Sequence, residues 1–201
     1  MLRMPEANPP IGTLAKLARA AETCRACPLW KNATQVVFGE GPAKARIVIV
    51  GEQPGDQEDL AGRPFVGPAG KLLDRALAAA GLDRSEVYVT NAVKHFKWKP
   101  SGKRRLHAKP NAREMAACRP WLEAQLNRIR PALIICLGAS AAQSICGSGI
   151  KVTQERGKKL PTEFGIPALI TLHPSALLRL PEGADREAEF KRFVADLKRA
   201  V

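Results

Sequence analysis

Lys103-Arg104-Arg105-Leu106-His107 places one histidine at the end of a basic triplet, a pairing of charge and imidazole that no other segment of the chain offers. From Val87 to Arg113 there is no acid, while eight lysines and arginines fall between Lys94 and Arg113. A segment this basic suits a polyanion, and an imidazole delivered with it suits chemistry near neutral pH. Pro100, Ser101 and Gly102 precede it and Pro110 follows, so it reads as a loop and not a helix face. A lone run of this kind is more often a solvated charge cluster, and the rest of the chain has to decide.

Five further features carry chemistry. Gly51-Glu52-Gln53-Pro54-Gly55-Asp56 offers a carboxylate beside a rigid turn whose glycines let a planar ligand come close and leave amides to donate. Glu52 there suits a base or the stabilisation of a cation; on spacing alone a solvated turn acid is an equal reading. In Gly62-Arg63-Pro64-Phe65-Val66-Gly67 a phenylalanine stands between glycines, poorly placed for ordinary core and well placed to stack on a base. Asn91 can bond a base edge through its paired donor and acceptor, or simply cap a turn. His173-Pro174-Ser175 adds a second histidine. Finally, Cys24-Arg25-Ala26-Cys27-Pro28 has the spacing to grip a metal or one edge of an iron–sulfur cluster. A redox dithiol competes, but that motif follows a strand and this one ends a helical pattern. Cys118 is the natural third ligand; Cys136, in the apolar run Leu133–Leu137, and Cys146 read better as packing.

These residues need a scaffold. Short β-branched runs at Arg46–Gly51, Val87–Asn91, Ala132–Leu137 and Ala168–Leu172 predict four buried strands. Helical patterns at Thr13–Thr23, Gly67–Ala80, Asn111–Arg130, Ser140–Cys146 and Asp185–Arg199 separate them. The alternation predicts a parallel sheet covered on both faces. Glu52, Asn91, Gly138-Ala139-Ser140 and His173 then each follow a different strand. Ligands of open α/β sheets bind at the carboxyl ends of strands, so the four motifs describe one crevice.

Size and charge agree. A chain of 201 residues predicts one domain, and a net charge of +13 predicts nucleic acid as partner. No apolar run approaches the ~20 residues of a membrane span, and the amino terminus lacks a signal peptide. A cytosolic monomer is the expectation, with the five cysteines suited to ligation rather than disulfides.

Together the motifs resemble the family 4 uracil-DNA glycosylases from about Thr23 to Arg179, with CxxC-Pro, Gly-Glu-x-Pro-Gly, Gly-Arg-Pro-Phe-Val-Gly, the strand-ending Asn and His-Pro-Ser in the family's order. The resemblance implies a three-layer α/β/α sandwich with a central four-stranded parallel sheet, a [4Fe-4S] cluster and recognition of uracil flipped from DNA, single-stranded in the first place and duplex besides. It differs at two places. The family's Lys-Cys-Arg-Pro reads Lys94-His95-Phe96-Lys97 here, which implies a cluster held by Cys24, Cys27, His95 and Cys118, with Cys136 ranked below His95 as fourth ligand. A histidine ligand should raise the cluster's potential, as in Rieske centres. The second difference is the insertion carrying Lys103–His107. With Gln53 and the run Asp56-Gln57-Glu58-Asp59, it resembles the UdgX branch, known for bonding covalently to the sugar left after uracil is removed.

The resemblance assigns roles. Glu52, His107 and His173 are the expected catalytic residues. Gly51, Gln53, Gly55, Asp56, Phe65 and Asn91 line the uracil, Asn91 accepting from N3–H and donating to O4. Cytosine reverses that pattern and would leave groups unpaired at about 1–3 kcal/mol each. Lys103, Arg104, Arg105 and Arg179 meet the DNA backbone; Leu177, Leu178 and Arg179 read either as a wedge into the base stack or as a plain helix start. The competing readings are a multiple-turnover glycosylase using water, a non-catalytic reader of uracil-containing DNA, and an iron–sulfur electron carrier.

Overall fold

The computed structural model describes residues 7–181 and 185–201. Its centre is a sheet built from β1 (Ile47–Gly51), β2 (Tyr88–Asn91), β5 (Leu133–Leu137), β6 (Lys159–Leu160) and β7 (Ala168–Thr171), in the order β2-β1-β5-β7-β6. The four long strands are parallel and almost wholly buried, as unbroken β-branched runs covered on both faces must be. The expected four-stranded sheet gains one strand: β6, only two residues long, pairs antiparallel with β7 at the edge and is too short to show a period.

Helices α1 (Leu14–Ala21), α2 (Asp56–Ala61), α3 (Pro68–Ala80), α4 (Ala112–Ile129), α5 (Ala139–Cys146), α6 (Val152–Glu155), α7 (Pro174–Leu178) and α8 (Arg186–Lys198) complete the chain, with a 3₁₀ turn at Pro28–Lys31. Alternation along the strands divides the core. Val48, Val50, Ile134, Cys136 and Ile170 face Leu122, Leu126, Ala141 and Ile145 of α4 and α5. Ile49, Val89, Ile135 and Leu169 face Leu73 and Leu77 of α3 and Phe193 and Leu197 of α8. The result is the three-layer α/β/α arrangement the strand–helix alternation predicts. A smaller core joins α1 and α4 through Leu17, Ala21, Phe38, Ala117 and Trp121, and Cys27 and Cys118 belong to it.

The helix ends follow their chemistry. Thr13 caps α1 by accepting from the Lys16 amide at 3.2 Å, and Asn111 and Glu114 cap α4 reciprocally at 2.9 and 2.7 Å. Two segments form elements that the sequence patterns did not predict. The acids after Gly55 form the short helix α2. The basic segment is no irregular loop: β3 (Trp98–Ser101) and β4 (Arg104–His107) form an antiparallel hairpin pairing Trp98 with His107 and Ser101 with Arg104. Gly102 takes φ +56 at the first of its two turn positions, which suits a type II′ connection. The turn formers mark the hairpin's tip, and Pro100 is tolerated because the ribbon has only edges.

Chain order fixes where the motifs meet. From β1 the chain passes to β2 on one side, then returns to place β5 on the other, so the order reverses between β1 and β5. Gly51 is level with Asn91, and Leu137 with Thr171. All four strand ends therefore open on one crevice at the switch point.

Candidate active site

The crevice begins where β1 ends. Gly51 is needed there for space: a Cβ on it would collide with Asn91 Oδ1 and with the Phe65 ring. Those two side chains therefore crowd together against the strand end. Phe65 is buried and holds φ +57, which among described non-glycine residues only Arg130 shares. A bulky residue in the left-handed region is strained, and such strain gathers at functional sites. Asn91 is buried, and its carbonyl accepts from Lys94 Nζ at 2.7 Å. Lys94 is itself buried, bonding Thr90 Oγ1 at 2.6 Å and Gln125 Oε1 at 2.5 Å, and burial lowers its pKa to about 7.

His173 lies beside Phe65, ring centroids 6.0 Å apart. It caps α7: the Ser175 amide donates to its Nδ1 at 3.2 Å, with Ser175 Oγ at 2.8 Å. An amide can only donate, so Nδ1 accepts and the neutral ring carries its proton on Nε2, free to donate to a ligand. Burial, then Arg179 and His107, lower the His173 pKa to about 4, so the ring is neutral at physiological pH.

Glu52 completes the floor. Ser140 Oγ, on the first turn of α5, donates to Glu52 Oε2. On its other side His107 Nε2 lies 3.3 Å from Glu52 Oε1. Burial lowers the His107 pKa, Arg179 lowers it further, and Glu52 opposes both.

The hairpin reaches Glu52 because side chains tie it down. Arg105 Nε meets Asp56 Oδ1 at 2.6 Å and its Nη1 meets Asp59 Oδ2 at 2.7 Å. Asp59 has no solvent exposure and also accepts from the Thr34 amide at 3.0 Å. The buried Gln53 side chain donates to Lys97 O at 3.1 Å and Ala108 O at 3.2 Å and accepts from the Lys97 amide at 3.0 Å, clasping the hairpin where its strands begin and end. Trp98 Nε1 bonds Asn32 O at 2.8 Å. Arg105 and His107 share the face turned to the site, whereas Lys103 and Arg104 are exposed at the tip.

The structure thus brings Gly51, Glu52, Phe65, Asn91, His107 and His173 together. Gln53, Gly55 and Asp56 are engaged otherwise: Gln53 and Asp56 hold the hairpin, and the Gly55 amide donates to Glu58 Oε2 at 3.0 Å. Glu58 Oε1 also accepts from the Gly67 amide at 2.7 Å, joining the two glycine-rich loops. Ser140 lies where the motif after the third predicted strand placed it, whereas Glu58, Asp59 and Lys94 have positions around the site that sequence reasoning missed. All three are charged residues with almost no exposure, which no local pattern signals.

A second cavity lies behind α1. Cys24, Cys27, His95 and Cys118 line it with Ala21, Val36 and Trp121. No three of the described Cys, His, Asp and Glu side chains are close enough to bind one ion; a cluster, in which each ligand takes a different iron, needs wider spacing. The donor set fits such a group. Trp121 Nε1 donates to Cys24 Sγ at 3.2 Å and the Lys94 amide to Cys118 Sγ at 3.3 Å, the bonds that thiolate ligands accept. Burial lowers the His95 pKa to about 4, leaving it the neutral imidazole that ligation needs. Cys136 is elsewhere, buried in β5 and packed with Cys146.

A parallel sheet with an aromatic ring, an amide, a carboxylate and two neutral imidazoles gathered at its switch point suits an α/β domain that handles a nucleobase. Residues 38–198 match the family model described as the uracil DNA glycosylase superfamily, and the chain belongs to that superfamily. It is 40% identical over 181 residues to the type-4 uracil-DNA glycosylase of Thermotoga maritima, covering 90% of this chain and 88% of that one. It is 39% identical to the type-4 enzyme of Archaeoglobus fulgidus, covering 90% and 92%, and 38% identical to that of Pyrobaculum aerophilum, covering 84% and 86%.

Replacing Arg105 with Ala removes the cation facing buried Asp59 and should loosen the hairpin. Trypsin cleavage between Lys97 and Lys109 should quicken while the remaining domain resists. Unaltered cleavage would show that the two carboxylates do not hold the hairpin.

Proposed function

We propose that this protein removes uracil from DNA and then bonds its own His107 to C1′ of the exposed sugar, ending after one turnover as a protein–DNA adduct. Glycosylase activity is the reading its superfamily and type-4 relatives support. The capture step is supported by one observation above others: a neutral imidazole held 3.3 Å from the carboxylate on the floor of the crevice.

The uracil is flipped to the strand ends, where it meets the Phe65 ring and the Asn91 amide. As the C1′–N1 bond breaks, its electron pair leaves with uracil N1, and negative charge spreads to the ring oxygens. His173 Nε2–H donates to one oxygen; Asn91 donates to O4 and accepts from N3–H. The sugar becomes an oxocarbenium-like cation facing Glu52, whose negative charge stabilises it. His107 with its proton on Nδ1 offers the Nε2 lone pair to C1′. The new C–N bond forms there, the Nδ1 proton leaves to solvent, and the uracil anion takes a proton from water. A nitrogen tethered at the reaction centre outcompetes water through effective concentration. Lys103 and Arg104 meet the phosphates beside the sugar. A [4Fe-4S] cluster held by Cys24, Cys27, His95 and Cys118 would bind α1 and the CxxC turn to α4 and add one-electron chemistry remote from the base. A conventional glycosylase, in which water attacks C1′, is the second reading; it is favoured by the partial exposure of Glu52 to solvent.

His107→Ser should abolish the SDS-stable band formed with a uracil-containing single-stranded oligonucleotide while uracil release continues. An undiminished band would remove His107 from the capture step.

The fraction of abasic product captured, as distinct from the rate of excision, should also report the imidazole. Because the His107 pKa is lowered, the ring stays neutral as pH falls past the ordinary histidine value near ~6.5. Capture should therefore hold constant through that pH and decline only below it. A decline beginning above ~6.5 would mean that another group titrates.

For the cluster, His95→Ala should lower iron and sulfide content of anaerobically purified protein, and Cys136→Ala should not. The reverse result would transfer the fourth ligand to Cys136.

A further inference from the structure

We propose that Ser140 is a positioning residue for the reaction, fixing the Glu52 carboxylate so that one oxygen is occupied by the protein and the other faces the sugar. The inference rests on the reading that Glu52 stabilises the sugar cation, and adds to it the group that aims Glu52.

Ser140 is buried. A carboxylate oxygen has no proton to give, so its bond to Glu52 Oε2 has the hydroxyl as donor. The hydroxyl is held by its helix: Ser140 sits in the first turn of α5, and its carbonyl accepts from Ser144 Oγ at 2.8 Å. The turn carrying it is fixed on both sides. The Gly138 amide donates to Thr171 O at 2.9 Å. Gly138 has φ +83, and a Cβ on it would stand 3.0 Å from His173 Cβ. One turn after β5 therefore packs against the histidine that receives the leaving base and bonds the carboxylate that faces the sugar. With Oε2 engaged, Oε1 is the oxygen left for the reaction side, where His107 Nε2 already lies 3.3 Å away. An unanchored glutamate could turn toward Arg179 or solvent and meet the cation in only part of its conformations.

The test compares four full-length proteins, Ser140→Ala, Ser140→Thr, Glu52→Gln and the Ser140→Ala/Glu52→Gln double variant, with the parent. Uracil release from a single-stranded oligonucleotide is measured under single-turnover conditions. Loss of a hydrogen bond to a charged group predicts that Ser140→Ala slows release about ten-fold. Ser140→Thr, which keeps the hydroxyl, should recover most of the rate. Acting through Glu52, the alanine should slow the Glu52→Gln background by much less than it slows the parent. A Ser140→Ala protein as fast as the parent overturns the proposal, as does an equal slowing in both backgrounds, which would mark a general effect on the fold. A Glu52→Gln protein as fast as the parent would instead overturn the reading of Glu52, and this proposal with it.

Discussion

A carboxylate with no contact to solvent must be neutralised or paired, and Asp59 on α2 is such a group. Its cation is Arg105, carried 46 residues further along the chain on a ribbon that packs on neither face of the sheet. That ion pair obliges the hairpin to fold back over α2. Pairing of Trp98 with His107 and the clasp of Gln53 on Lys97 and Ala108 then leave the imidazole one place to go. Such pairs add little net stability because desolvation offsets their attraction. Their value here is specificity: a hairpin displaced from α2 would leave a buried charge unpaired, so one arrangement is selected over many.

The charges around the crevice follow the same economy. The protein carries +13 overall, yet the floor of the site holds a carboxylate and two imidazoles kept neutral by burial and by Arg179. The positive surface attracts the DNA. In the proposed reaction the neutral His173 donates a hydrogen bond without adding a cation next to the oxocarbenium ion, and His107, half exposed on its ribbon, keeps a free lone pair. Were either ring protonated at rest, the first would repel the developing sugar cation and the second would have no electrons to offer. Glu52 is then the negative group facing C1′, the sign that such a transition state requires.

Much of this was legible in the chain. Strand runs such as Ile47–Gly51 and Leu133–Leu137 are unbroken and β-branched, and Thr13, Gly67, Asn111 and Asp185 announce the helix starts they cap. Strand order then placed Glu52, Asn91 and His173 together without any knowledge of contacts. The hairpin was not legible because the consecutive Lys103-Arg104-Arg105 hides the period of two; only the pairing reveals that Arg105 and His107 share a face. Glu58 and Asp59 looked like turn acids, since nothing local says that Gly67 and Arg105 return to meet them. Gln53 was read for the backbone amides around it, and the clasp its side chain makes on the hairpin was not legible, because nothing local says that Lys97 and Ala108 return to meet it.

The hairpin bears on how capture relates to ordinary hydrolysis. Taking away residues 98–107 would remove no strand of the sheet and no partner of the Gly51–Phe65–Asn91 contact or of the Ser140–Glu52 bond, but it would strip buried Asp59 of its cation. What would change is the occupant of the space opposite Glu52 Oε1: solvent instead of imidazole. On the proposed reaction, base removal and sugar capture are thus separable steps. The first belongs to the switch point of the sheet, the second to a surface ribbon held by Gln53, Asp56 and Asp59. Two of those anchors, Gln53 and Asp59, are buried, so a substitution that frees the ribbon leaves polar groups unpaired in the interior, and on the proposed reaction the capture step is secured by the same groups that hold the hairpin to the fold.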